Sequence, residues 1–127
     1  MNATRRLRLS QRALDDIADI LDDSFGNFGP RARRRYEVLI ATALEALAQD
    51  PAALGSLARP ELGGDVRTLH LRHCRDIARG ADGVVKSPRH LIAYEVTAGE
   101  VIVLRLLHDA MELERHLPPP DPDQTPG

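Results

Sequence analysis

The apolar positions of this chain fall first into a short alternation, then into two helical stripes, then into several alternating runs. Residues 5–9 (RRLRL) alternate charge with leucine, which puts Leu7 and Leu9 on one face of a short strand. Ser10 follows as an N-cap, because its hydroxyl can accept from an amide of the first helical turn. Leu14, Ile17, Ala18, Leu21 and Phe25 then recur at helical spacing, with Asp15, Asp16, Asp19, Asp22 and Asp23 on the remaining surface. Gly26-Asn27 predicts the end of this helix, since both residues tolerate left-handed dihedrals. A second helix is predicted over residues 31–49, with Tyr36, Leu39, Ile40, Ala43, Leu44 and Leu47 as its stripe. Asp50-Pro51 ends it, because the residue before a proline avoids the helical region. The short break between the two predicts an antiparallel hairpin. Neither helix is stable alone, so both stripes must pack on the strands that follow.

Residues 51–65 are a Pro/Gly-rich connection. Residues 66–71 alternate, with Val66, Thr68 and His70 on one face and Arg67, Leu69 and Leu71 on the other. The turn residues Gly80-Ala81-Asp82-Gly83 predict a long hairpin from residue 66 out and back to residue 97, with Pro88 marking a bulge or edge on the returning arm. Residues 91–96 read as a core strand, Ala98-Gly99 as a turn, and residues 101–107 as the last strand. That strand is apolar on both faces except at Arg105, which predicts a central position, with helices over one face and a second cover over the other. The expected fold is α+β: an N-terminal strand, a helical hairpin, then antiparallel strands forming one sheet packed on the helices. One domain over residues 1–117 accounts for these elements, and residues 118–127 (PPPDPDQTPG) read as a disordered acidic tail.

Composition narrows the chemistry. Aromatic residues make up 3% of the 127 positions and there is no Trp, so the core is aliphatic and a base-stacking platform for single strands is not expected. The net charge of −2 gives no global pull toward nucleic acid or membrane. The charge is nevertheless blocked: Arg31, Arg33, Arg34 and Arg35 cluster, and residues 59–89 carry an excess of +3. Such blocks are solvated faces or interfaces with a mixed-charge partner. Cys74 is the only cysteine, which excludes an internal disulfide and suits a reducing cytoplasm. The N-terminus does not read as a signal peptide, and no apolar run reaches the length of a membrane span.

The element order, with several local patterns, resembles the ParE branch of the RelE/ParE toxin superfamily. The opening LRLSQRALDDIADILDDSFGNFG is similar to its first strand and helix, and ALEALAQDPAALGSLARPELGGDVRTLHLRH to its helix end, connection and second-strand entry. RHLIAYEV resembles its His-x-Ile-x-Tyr strand and VIVLRLLHDAMELERHL its closing Arg-x-Leu-His pattern. The resemblance spans about residues 5–117; the segment between Leu71 and His90 is longer than the minimal pattern. It implies the toxin of a type II toxin–antitoxin system, with roles in growth arrest and plasmid stabilisation. It implies inhibition of DNA gyrase, neutralisation by a ParD-like antitoxin in a hetero-oligomer, and a cytoplasmic location. The gyrase reading is not enzymatic. The alternatives are a RelE-like ribosome-dependent mRNA endoribonuclease and a non-toxic module that binds antitoxin.

The nuclease alternative needs basic side chains with a Tyr or His on one face, to activate a ribose hydroxyl and stabilise the phosphorane. The candidates are Arg67, His90, Tyr94, Arg105 and His108; for target binding they are Arg67, Arg105 and His108. Tyr94 sits inside an apolar strand, where a core Tyr with a satisfied hydroxyl is the more usual reading. Parity sends Arg105 and His108 to opposite faces if the strand stays extended. Arg105 also has a structural reading, as half of an ion pair with Glu95, Glu112 or Glu114. His70, His73, Cys74, His90, His108 and His116 have poor spacing for a metal, and no Gly-rich phosphate loop is present. No cofactor, metal or sequence-specific nucleic-acid site is expected. The antitoxin is expected at an exposed sheet edge or an uncovered apolar sheet face.

Overall fold

The computed structural model describes residues 4–52, 55–111 and 113–117. The acidic tail and Glu112 lie outside them, as does the Glu114 side chain. Strand β1 (Arg6–Leu9) leads into helix α1 (Gln11–Phe28), and helix α2 (Pro30–Gln49) returns antiparallel to it. Four strands follow: β2 (Leu57–Ala58), β3 (Val66–His70), β4 (His90–Val96) and β5 (Glu100–His108). A short helix, α3 (Leu113–His116), ends the described chain. The sheet order is β1-β5-β4-β3-β2, antiparallel throughout except for the parallel pair of β1 and β5. The expected architecture is present, but the middle strand is β4; β5 lies beside it and is covered by β1 only over Glu100–Val103.

Ser10 starts α1 as its sequence predicts. Its hydroxyl accepts from the Ala13 amide at 3.0 Å and donates to the Leu104 carbonyl at 2.7 Å, joining the helix start to β5. Ser10→Ala should therefore cost about 1–2 kcal/mol, since it removes a cap and leaves a strand carbonyl without its partner. Urea denaturation reads this directly, and a loss well under half a kcal/mol would show that water replaces both bonds. The helix runs through Gly26-Asn27 and stops at Gly29, whose φ of 91° an L side chain rarely adopts. Pro30 then opens α2, where its missing amide costs nothing.

The buried stripe of α2 is nearly the predicted one: Tyr36, Leu39, Ile40, Ala43 and Leu47, with Leu44 half-buried. The stripe of α1 is rotated. Ala13, Ile20 and Leu21 are buried and Asp16 and Ile17 half-buried, whereas Leu14 and Phe25 are about half exposed. Both faces read as helical stripes because the apolar sector of α1 is wider than the strip the sheet covers. The main core joins these residues to Leu69, Ile92, Tyr94, Val101, Val103 and Leu106. Each fully buried Leu or Ile here contributes about 2 kcal/mol.

The long hairpin from residue 66 to residue 97 does not form as one continuous pair of arms. β3 ends at His70, and a 3-10 turn (Leu71–Cys74) buries Leu71 and Cys74 instead. The chain then makes a loop with a Gly80–Gly83 bridge before β4. β2, unpredicted, is only two residues long and exists through pairing with β3. The outer face of the sheet is not left bare either. Leu62 and Leu113 form a small second core with Val66 and Leu107, and Leu117 packs against it. The expectation of an uncovered apolar sheet face is thus corrected at the centre of the sheet.

Candidate functional site

The five sequence candidates fall in three places. Arg67 and Tyr94 are paired across β3 and β4 and both hold the linker after α2. The fully buried Tyr94 donates its hydroxyl to the Pro51 carbonyl. The Arg67 guanidinium reaches the Ser56 hydroxyl at 2.8 Å and the Ser56 carbonyl at 3.3 Å. Arg67 lines a cavity of about 580 Å³ with Arg5, Arg59, Asp50 and Asp65. The Arg5 Nε there is buried and has no hydrogen-bond partner among the described residues.

Arg105 sits at the opposite edge. Its Nε donates to Asp16 Oδ2 at 2.7 Å, its Nη2 to Asp16 Oδ1 at 2.9 Å, and its Nη1 to the His116 carbonyl at 2.9 Å. Asp16 also accepts from the Leu106 amide at 3.0 Å. The pairing of β4 with β5 shifts register between Ala93 and Tyr94, so β5 is bulged at Leu104. Past Leu9 no strand covers the β5 edge, and Ser10 and Asp16 of α1 satisfy its polar groups instead. Asp16 raises the Arg105 pKa further above its ordinary value, through the hydrogen bond first. The sequence expectation of Glu95 as partner is corrected: the acid comes from the first helix. Spacing alone left Asp16 on the solvated face of α1, because the predicted stripe was rotated.

His90 and His108 do meet. They are cross-strand partners, with ring centroids 5.4 Å apart and edge-on. Tyr36 of α2 joins them, its hydroxyl 2.7 Å from His90 Nδ1 and also accepting from the Arg89 amide at 3.2 Å. Next to this cluster His70 Nε2 lies 3.0 Å from Asp109 Oδ2, and Arg89 Nη2 lies 3.1 Å from Asp109 Oδ1. Parity holds for the pair the sequence separated: Arg105 faces Asp16 at the edge, and His108 faces His90.

The hydrogen bonds assign one tautomer to His70 and His108. Each Nδ1 accepts, in His70 from the Arg72 amide and in His108 from the Ala110 amide. Each Nε2 then carries the proton, and in His70 that N–H donates to Asp109. Burial first, and the neighbouring His108 next, push the His90 pKa down to about 4. Burial raises the Tyr36 pKa, and the His70 hydrogen bond followed by the Arg89 charge lowers that of Asp109. At neutral pH the cluster is therefore a hydrogen-bond donor surface. To act as a base, His108 must exchange tautomers and give up its Ala110 bond, at about 1 kcal/mol. Sequence reasoning missed Tyr36, His70, Arg89 and Asp109. The Asp immediately after His108 was the available signal; Tyr36 was hidden in its helix stripe.

Among the described residues no group of three His, Cys, Asp or Glu is placed to hold a metal ion, and no helix is long and apolar enough to cross a membrane. The arrangement is that of a small α+β protein whose helical hairpin lies over a sheet with a polar cluster at one end. The chain belongs to the family of ParE toxins of the type II toxin–antitoxin system parDE, whose family model matches residues 7–113. A solved structure described as the chromosomal ParDE TA system from P. aeruginosa has a similar fold, with a TM-score of 0.59. It is 23% identical, over 83% of this chain and 96% of that one. No protein of curated function matches the sequence.

Proposed function

We propose that this ParE-family toxin inhibits DNA gyrase and is neutralised in the cytoplasm by a cognate ParD-like antitoxin. The family match across residues 7–113 is the observation that carries this reading. The scatter of Arg67, Tyr94 and Arg105 away from His90 and His108 supports a binding toxin over a nuclease built on all five. The target-facing candidates are Arg67, Arg105 and His108, of which Arg67 is held by Ser56 and Arg105 by Asp16 and the His116 carbonyl.

Induced expression in bacteria, with and without the neighbouring gene, tests the reading. The expected result is growth arrest with filamentation and a DNA-damage response, relieved by the neighbour. Purified protein should block supercoiling and leave gyrase-linked breaks; supercoiling untouched and DNA unbroken would count against a gyrase target. The His90–His108–Tyr36 cluster, with Arg89 beside it, favours a second reading as a ribosome-dependent endoribonuclease. Codon-positioned cuts in mRNA, abolished by His108→Ala, would replace the first reading with the second.

A further inference from the structure

Two arginine-rich stretches that are far apart in sequence meet on one surface. Asp82, at the tip of the loop between Cys74 and β4, receives Arg34 through two bonds of 2.9 and 3.3 Å. Arg31 lies 3.5 Å from the same carboxylate, and the Asp82 carbonyl accepts from Arg35 at 3.3 Å. Beside it Gly80 lies so close to Val38 of α2 that a Cβ would meet Val38 at 3.3 Å. Arg75 donates to the Lys86 carbonyl at 2.9 Å and ties the two arms of the loop together. The loop and the first half of α2 are thereby one face.

That face concentrates positive charge in a chain whose net charge is −2. Residues 31–37 and 72–89 hold nine of the 17 Lys and Arg residues and three of the 19 acids. All three acids are already paired: Glu37 with Arg33, Asp76 with Arg75, and Asp82 with Arg31 and Arg34. Arg72, Arg79 and Lys86 are exposed and make no ion pair among the described residues; Arg35 has only the Asp82 carbonyl. Asp15, Asp19 and Asp23 are exposed on α1, while Asp22 of the same helix pairs with Arg33 at 3.3 Å. Asp109 also reaches the face, 3.1 Å from Arg89, so nine basic side chains meet five acidic ones there; the excess still orients an approaching polyanion toward it.

We propose that this face binds the phosphate backbone of duplex DNA without regard to base sequence. Arginine forks and a lysine on a braced frame suit phosphate oxygens, and each neutralised phosphate releases counterions. The two stretches present no exposed Phe, Tyr or Trp, so they lack a stacking surface for unpaired bases, and Ile77 is the exposed large apolar side chain among them. The proposal goes beyond the gyrase reading and stands whichever target that reading finally names.

Fluorescence anisotropy of the purified full chain with a labelled random-sequence duplex, across a salt series, tests it without gyrase present. Four phosphate contacts predict a log–log slope of about −3.5. Reversing the three unpaired charges (R72E, R79E and K86E together) should weaken binding at least tenfold and flatten the slope by about 2.5. Reversing Arg6 and Arg8 on β1 with Arg12 at the start of α1, which changes the net charge by the same amount, should change affinity less than threefold, a margin on the order of one weak contact. Salt-independent or undetectable binding overturns the proposal, as does an equal loss in the β1 control. Stronger competition by polyglutamate than by unlabelled duplex of equal charge also overturns it, and assigns the face to an acidic protein segment.

Discussion

Asp16→Ala is expected to destabilise the protein by about 3 kcal/mol, a large part of the stability of a domain this size. Asp16 takes two hydrogen bonds from the Arg105 guanidinium and one from the Leu106 amide. Both side chains of the pair are only 12–13% exposed, so removing the carboxylate leaves a cation and an amide in a place that water reaches poorly. The estimate sits at the low end for a broken buried pair because the His116 carbonyl still holds one arm of Arg105. For a domain of about a hundred residues the loss corresponds to a melting temperature lower by roughly 12 °C. The double variant Asp16→Leu with Arg105→Met should recover most of it, since an apolar pair desolvates no charge. Thermal and urea denaturation of the two variants check this. A double variant as unstable as Asp16→Ala would show that the Leu106 amide, not the stranded cation, carries the cost.

Stability is also expected to fall by about 2 kcal/mol as the pH drops from 6.5 to 4, through His90. The unfolded imidazole binds its proton near pH 6.5. In the folded chain the pKa is near 4, because burial and His108 disfavour the imidazolium more than Asp109 and Asp23 favour it. Between those values the unfolded chain holds a proton that the folded chain excludes. Stability is therefore fully present above pH 6.5 and is lost as the pH falls. Partial access of solvent to the ring reduces the loss below the value that the whole shift implies. The lowered pKa of Asp109 acts in the same direction at still lower pH, once its carboxylate protonates and releases His70 and Arg89. His90→Gln keeps an acceptor near the Tyr36 hydroxyl and removes the titration. Its denaturation midpoints should be nearly flat across this window; a wild-type slope in that variant would assign the acid sensitivity elsewhere.

Ser10, the Tyr36–Leu47 stripe and Asp50-Pro51 announced the helices because capping, periodicity and proline sterics act within a few residues. The apolar run around Arg105 announced a buried strand for the same local reason. The candidate site was half legible. His90 and His108 could be named, and their meeting follows from a register that only the paired strands display. Tyr36 arrives from α2 and His70 from β3, and no local pattern marks either for that place. Asp16 lies 89 residues from the guanidinium it neutralises.

The residue pattern by itself determined the order of the main elements, the α+β class and the burial of β5, since burial periodicity and turn chemistry are encoded locally. Tertiary packing decided which side of α1 is buried, whether the chain between His70 and His90 pairs or folds back on α2, and which acid answers Arg105. It also brought the two arginine blocks together around Asp82. Such choices depend on contacts between residues distant in sequence, and their free energies arise only when two surfaces desolvate each other.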